Sequence, residues 1–309
     1  MNISIVIPCL NAFSTLVPLI SSLRCQTIFP GEIIIIDSES NDGTFQLAGN
    51  LGCPVLSIKR SDFNHGGTRN LASIHAQGEI LIFMTQDALP VDRFFLQHLI
   101  DPIFSGKAVA SFARQVPYPN ASVGERFARL FNYPPVSQIR SKSSNETMNL
   151  DAYFFSNVAS AIRKDIFIEV GMFADDVIMN EDMLMCAKLL NAGYSVAYTA
   201  DAQVYHSHDY TLQQTFKRYF DIGVFFARHF HVMNLSTSGR GVDFSRQLIS
   251  EMVQLGAWCA LFHAFLEIGT KFAGFKLGKM EKFIPVVLKR RLSMHVGYWD
   301  STAQKKAAF

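Results

Sequence analysis

Five consecutive apolar residues, Ile80, Leu81, Ile82, Phe83 and Met84, stop abruptly at Thr85, Gln86 and Asp87. Such a run between polar residues is the pattern of a strand buried on both faces, which requires helices on both sides of a sheet. Pro90 ends further pairing. Asp87 therefore stands at the carboxyl end of a central strand, where open α/β sheets bind their ligands.

The neighbouring segments repeat the arrangement. Ser4 to Ile7 reads as a strand ending at Pro8 and Cys9, and Ser14 caps a helix with Leu16, Leu19, Ile20 and Leu23 on one face. Ile33 to Ile36 is a second buried strand, closed by Asp37, and the turn through Ser38, Ser40 and Asp42 leads into another helix. Pro54 to Ile58 is a third. Asn64-His65-Gly66-Gly67-Thr68-Arg69-Asn70 opens the helix Leu71 to Gln77, which feeds the central strand. Strands alternating with helices of this length imply βαβ units and a mostly parallel sheet.

Pro8, Asp37, Arg60 and Asp87 all follow strand carboxyl ends, so they share one edge of that sheet. A glycine-bearing loop that opens a helix suits the same edge to a diphosphate. From Gly106 to Asn149 the pattern loosens, with Pro117, Pro119, Pro134, Pro135 and the polar run Ser141 to Thr147. So long an irregular stretch reads as a lid or a substrate-contacting segment. Order returns at Ala152 to Phe155, and Ala161-Ile162-Arg163-Lys164 enters a helix. Asn180-Glu181-Asp182 begins the next, and Gly193 stops it. Two further strands, near Ser195 to Tyr198 and Gln203 to Tyr205, lead into His206-Ser207-His208-Asp209.

Composition enters where the carboxyl-terminal third changes character. Net charge is +2 over the 309 residues, but residues 1–210 hold 14 basic and 20 acidic residues and residues 211–309 hold 14 and 6. Beyond Leu212 the chain reads as helix, with Lys271, Lys276, Lys279, Lys282, Lys289, Arg290 and Arg291 set among Phe272, Phe275, Phe283 and Ile284. Basic residues interleaved with Phe suit an interfacial helix on an anionic membrane, and packing on the sheet or a subunit interface between two copies is the alternative. No recognised nucleic-acid motif accompanies the charge, so no nucleic-acid partner is expected. The longest apolar stretch, Met252 to Leu266, is about 15 residues and falls short of the roughly 20 a bilayer span needs. Five scattered cysteines without CxxC spacing fit a reducing compartment, and the first ten residues read as a strand, not a signal peptide. The expected division is 1–210 for an α/β body and 211–309 for a helical extension.

Six landmarks occur in order: Val6-Ile7-Pro8, Ile36-Asp37-Ser38-x-Ser40-x-Asp42-Gly43-Thr44, Gly67-Thr68-Arg69-Asn70, the Asp87 strand, Glu181-Asp182 and His206. Together they resemble the inverting glycosyltransferases of family 2, over roughly residues 1–210. The resemblance implies the GT-A fold, a Rossmann-like, mostly parallel sheet flanked by helices. Within that family, Phe63 to Asn70, Thr85-Gln86-Asp87-Ala88 and Arg114-Gln115-Val116-Pro117 are similar to bacterial rhamnosyltransferases, which build O-antigen from dTDP-L-rhamnose.

The resemblance also implies roles. Asp182, with Glu181 beside it, is the catalytic base that removes the acceptor's proton. Asp87 is the carboxylate for Mg²⁺ or Mn²⁺, with His206 as a second ligand; Thr85 stands where the family has a first acid. Asp37, Ser38 and Ser40 meet the nucleotide, Arg69 and Arg60 its diphosphate, His65 the sugar, and Pro8, Gly67 and Gln86 complete the donor site. The implied acceptor is a polyisoprenyl-diphosphate-linked oligosaccharide at the cytoplasmic face of the membrane. A family member using UDP-galactose or UDP-N-acetylglucosamine, or a noncatalytic glycan- or lipid-binding module on the same scaffold, are the alternatives.

Overall fold

The computed structural model describes residues 2–142, 148–232, 239–254, 256 and 258–300. Residues 143–147 of the polar run and the tail 301–309 lie outside them. The elements follow as β1 (Ile3–Cys9), α1 (Phe13–Arg24), β2 (Glu32–Asp37), α2 (Thr44–Asn50), β3 (Val55–Ser57), α3 (His65–His75), β4 (Ile80–Met84), β5 (Leu89–Pro90) and α4 (Phe95–Phe104). Then come β6 (Ala110–Val116), α5 (Val123–Asn132), β7 (Gln138–Arg140), β8 (Ala159–Arg163), α6 (Lys164–Glu169), α7 (Glu181–Asn191) and β9 (Val196–Tyr205). Four helices close the described chain: α8 (Leu212–His229), α9 (Arg240–Gln254), α10 (Trp258–Lys279) and α11 (Val286–Leu292).

The strands form one sheet in the order β3-β2-β1-β4-β8-β6-β9-β5, with β7 also on β9. β3, β2, β1 and β4 run parallel, so their carboxyl ends share an edge as the apolar runs predict. β8 lies antiparallel between β4 and β6. Alternate residues of each strand face opposite cores. Ile5, Ile7, Ile80 and Ile82 bury against α1 and α4, while Val6, Leu81 and Phe83 bury against α3, α7 and α8. Every residue of β4 is buried, which explains why that run has no polar alternation.

Four expectations need correction. Ser14 does not cap α1; the helix begins at Phe13, whose N–H donates to Asp42 Oδ2 at 3.0 Å. The loop 64–70 is already helix: Asn64 caps α3, its Oδ1 accepting from Gly66 N at 3.0 Å and Gly67 N at 2.9 Å. Ala161 to Arg163 is strand, because the slot between β4 and β6 overrides the weak local preference of Ala-Ser-Ala-Ile-Arg. The two strands expected between Ser195 and Tyr205 are one, β9, with a register shift opposite Ala113 and Arg114.

A boundary at residue 210 marks a change of secondary structure but not of core. Phe220, Val224 and Phe225 of α8, together with Trp299, belong to the same buried cluster as Val6 and Phe83. α8 and α10 cross at backbone contact: a Cβ on Gly278 would lie 2.0 Å from Phe220 O, and one on Gly223 would lie 2.3 Å from Phe275 O. Only residues without side chains permit that approach.

Candidate active site

A cavity of about 1070 Å³ opens beyond the carboxyl ends of β1 and β4 and is closed on its far side by α5, α8 and α10. Asp87 enters it from the segment after β4, and His206 and His208 enter from the end of β9. His206 Nε2 lies 3.6 Å from Asp87 Oδ1, His208 Nε2 lies 3.4 Å from Asp87 Oδ2, and the two imidazole nitrogens are 3.1 Å apart. The three ligating atoms lie within 4.8 Å of one another.

The orientation of His206 is fixed from behind. Its Nδ1 is 2.8 Å from Gln115 Oε1. That oxygen also accepts from Arg129, while Gln115 Nε2 donates to Tyr133 Oη and, at 2.9 Å, to Ser156 Oγ. Arg129 can only donate, so Gln115 presents its carbonyl, His206 carries its proton on Nδ1, and the Nε2 lone pair faces Asp87. Burial, with help from the positive charges of Arg129 and Arg218, holds the His206 pKa well below its usual value and keeps the ring neutral. Two neutral imidazoles and a carboxylate converging this way make a donor set that fits a divalent cation. His208, two residues from the expected ligand, was not singled out by sequence; the His206-Ser207-His208 spacing was the available signal.

The second chemical group is Asp182, at the start of α7. Asn180 adopts a left-handed backbone conformation, φ 61°, and turns the chain so that Glu181 points into the body while Asp182 lines the cavity. Asp182 Oδ2 accepts from Asn157 N at 3.1 Å and Oδ1 from Met183 N at 2.8 Å. Burial, reinforced by the negative charge of Glu181, nevertheless raises its pKa to about 7. A carboxylate poised near neutrality is suited to accept a proton from a sugar hydroxyl.

The other expected residues divide. Pro8, His65 and Gln86 line the cavity. Gln86, however, is occupied in bracing the loop after β1, accepting from Leu10 N at 2.7 Å and donating to Leu10 O at 3.1 Å. His65 packs edge-on between Phe63 and His295, each ring centroid 5.0 Å away, and burial lowers its pKa to about 3. Asp37 sits one strand over, opposite Cys9, and is buried with Ser38. Asp37 Oδ1 and Ser38 Oγ are buried without a hydrogen-bond partner among the described residues. Ser40 ties two loops together, donating its N–H to Asp37 Oδ2 and accepting from Asn11 N at 2.9 Å.

The two residues expected at the diphosphate, Arg69 and Arg60, and the donor-site Gly67 are placed differently: only Arg69 lines the cavity, and its Nε has no hydrogen-bond partner among the described residues. Arg69 is buried and paired with Glu181, Nη1 to Oε1 3.1 Å. Gly67 has its N–H capped by Asn64 and lines a separate, smaller hollow with Lys59 and Asp62. Arg60 is exposed on a short turn after β3, outside the cavity lining.

Comparison with known proteins places this geometry. Residues 4–171 match the profile of Glycosyl transferase family 2. The chain belongs to glycosyltransferase family 2. It is 37% identical over 309 residues to the O-antigen chain rhamnosyltransferase RfbN of Salmonella typhimurium, covering 97% of each chain. It is 36% identical over 280 residues to the O-antigen chain rhamnosyltransferase WbaN of Salmonella anatum, covering 89% of this chain and 88% of that one. The mannosyltransferase PcManGT from Pyrobaculum calidifontis, solved in complex with GDP-Man and Mn²⁺, aligns with a TM-score of 0.63 at 14% identity, over 92% of this chain and 88% of that one. That likeness shows the GT-A fold expected from the sequence. As a family 2 glycosyltransferase, the enzyme moves a sugar from a donor to an acceptor, and its cavity must admit both.

Proposed function

We propose that this glycosyltransferase moves L-rhamnose from dTDP-L-rhamnose, with inversion, onto a polyisoprenyl-diphosphate-linked oligosaccharide in bacterial O-antigen synthesis. The observation that carries the reading is one cavity holding both Asp182, with its pKa near 7, and the Asp87-His206-His208 cluster. The similarity to two O-antigen rhamnosyltransferases, over 97% and 89% of this chain, supports rhamnose as the sugar.

In this mechanism Asp182 takes the proton from the acceptor hydroxyl as that oxygen attacks the anomeric carbon from the face opposite the diphosphate. Its two backbone hydrogen bonds aim the carboxylate, and Glu181 raises its basicity. Asp37 and Ser38 offer their unpartnered oxygens to the nucleoside, and His65, held neutral, offers a ring edge to the sugar. Asp87, His206 and His208 would hold Mn²⁺ or Mg²⁺, and two imidazole ligands favour Mn²⁺. A cation held by these residues would supply Lewis-acid stabilisation of the charge on a leaving diphosphate.

We further infer that the enzyme works on the cytoplasmic face of the membrane as a peripheral protein. No helix among the described residues is long and apolar enough to cross a bilayer. Phe272, Phe283 and Val287 are exposed beside Lys276, Lys282 and Arg290, a combination suited to anionic lipid.

Thermal unfolding with a panel of nucleotide sugars tests the donor. A ligand at about a hundred times its Kd adds roughly 2.7 kcal/mol. Stabilisation by dTDP-rhamnose and dTDP, greater with Mn²⁺, is the expected result. Stabilisation by UDP-sugars alone would overturn the donor assignment.

A further inference from the structure

The cavity's cations are unequally employed. Among the described residues, four line it: Arg69, Arg129, Arg218 and Lys271. Arg69 is paired with Glu181 at 3.1 Å, Arg129 with Glu125 at 2.6 Å and Lys271 with Glu267 at 2.6 Å. Among the described residues Arg218 has no carboxylate partner within ion-pair distance. Its guanidinium lies over the Tyr210 ring, 5.7 Å from the centroid. Asp221, three residues further along α8, feels the Arg218 charge but is not ion-paired with it among the described residues; its Oδ2 accepts from Met294 N at 2.8 Å.

The position of Arg218 adds to its isolation. Its charge is felt by His206 and His208 at one end of the cavity and by His65 and His295 at the other, and it opposes protonation of all four. It lines the same cavity as Asp87, His206, His208 and His65. This half-buried guanidinium has no ion pair among the described residues, unlike the other three cations, and guanidinium geometry matches phosphate oxygens in pairs. The side chain also hangs from a rigid support. α8 is closed at its start by the Thr211–Gln214 capping box and is held against α10 at Gly223 and Gly278.

We propose that Arg218 receives a substrate diphosphate in this cavity, the task that residue order alone assigned to Arg69. The reading rests on the glycosyl-transfer function proposed above. Two substrates carry the required chemistry, the nucleotide donor and the lipid-linked acceptor.

The test compares wild type with R218Q and R218K in Mn²⁺, using inorganic pyrophosphate, dTDP and thymidine as calorimetric ligands and steady-state kinetics for both substrates. Loss of a charged hydrogen bond weakens binding about 10- to 100-fold. R218Q should lose pyrophosphate affinity by that factor, with thymidine affinity and melting temperature unchanged, and R218K should recover part of the loss. A parallel loss of dTDP affinity with a raised donor KM identifies the donor diphosphate. A raised acceptor KM with dTDP affinity intact identifies the lipid-side diphosphate. Unchanged pyrophosphate affinity together with unchanged KM for both substrates overturns the proposal. Should wild type bind pyrophosphate through Arg218 but reject dTDP-rhamnose, the donor assignment fails and this one stands.

Discussion

Arg69 on α3 and Glu181 at the head of α7 form a buried ion pair, Nη1 to Oε1 3.1 Å, with side-chain exposures of 5% and 7%. Asn157 Nδ2 donates to the same Glu181 oxygen at 3.2 Å, so the carboxylate is satisfied from two elements. Removing Arg69 leaves an ionised group without its counter-charge in a dry setting, which costs about 3–5 kcal/mol. Arg69→Met should lower the unfolding free energy by that amount in urea titration. A variant as stable as wild type would show that Arg69 is free to serve substrate instead.

The same pair tunes Asp182, whose pKa of about 7 follows from burial first and the Glu181 charge second. A base must be deprotonated to work, so kcat/KM should rise about tenfold per pH unit below pH 7 and level off above it. Glu181→Gln keeps the hydrogen bonds but removes the negative charge and leaves Arg69 unbalanced. Both changes favour the Asp182 carboxylate, so the acidic limb should move to lower pH. Asp182→Asn should abolish turnover while dTDP still binds. An acidic limb unmoved in Glu181→Gln, or turnover retained in Asp182→Asn, would remove Asp182 as the base.

β1, β2 and β4 were readable because they are buried on both faces and consist mostly of Ile, Val, Leu and Phe. Asp87 and Asp182 stood out in the sequence because each follows an abrupt change from one kind of segment to another, and both line the cavity. The pairing of Arg69 with Glu181 was not legible because its neighbours Gly66 and Gly67 look like a phosphate loop. Asn64, six residues from the end of that run, caps the same N–H groups and turns them into an ordinary helix start. Glu181 is 112 residues away along the chain, and no local pattern announces the pairing. Gln115 and Arg129 lie in the segment between Gly106 and Asn149 that showed no periodicity. β6 and α5 there are short, and they owe their stability to the sheet and to α9 and α10.

Gln115 offers a test of the imidazole cluster that leaves its ligands in place. Its Oε1 accepts from His206 Nδ1 at 2.8 Å and so sets the tautomer that turns Nε2 toward Asp87. Losing such a partner costs about 10- to 100-fold in metal affinity. Gln115→Leu should raise the Mn²⁺ concentration for half-maximal activity by that factor, with maximal activity approached at saturating metal. Chelation should silence both forms, and an unchanged Mn²⁺ requirement in Gln115→Leu would argue against His206 as a ligand.

Membrane docking calls for point changes and not for removal of the basic tail. Truncation from Lys271 onward would delete Gly278, which lets α10 meet α8, and Trp299, which is buried in the same core as Phe83. Loss of vesicle binding after such a deletion would report unfolding. Phe283 and Val287 are 85% and 68% exposed and flank basic residues, so they can be changed without opening the core. Full burial of such a side chain contributes about 1.5–3 kcal/mol. Phe283→Ser with Val287→Ser should therefore weaken partitioning onto anionic vesicles by at least about 100-fold while leaving dTDP binding and melting temperature intact. Neutral vesicles should bind wild type poorly, and raised salt should release it, because the basic residues draw the surface to anionic lipid. Undiminished vesicle binding by the double variant would move the contact away from this end of the molecule.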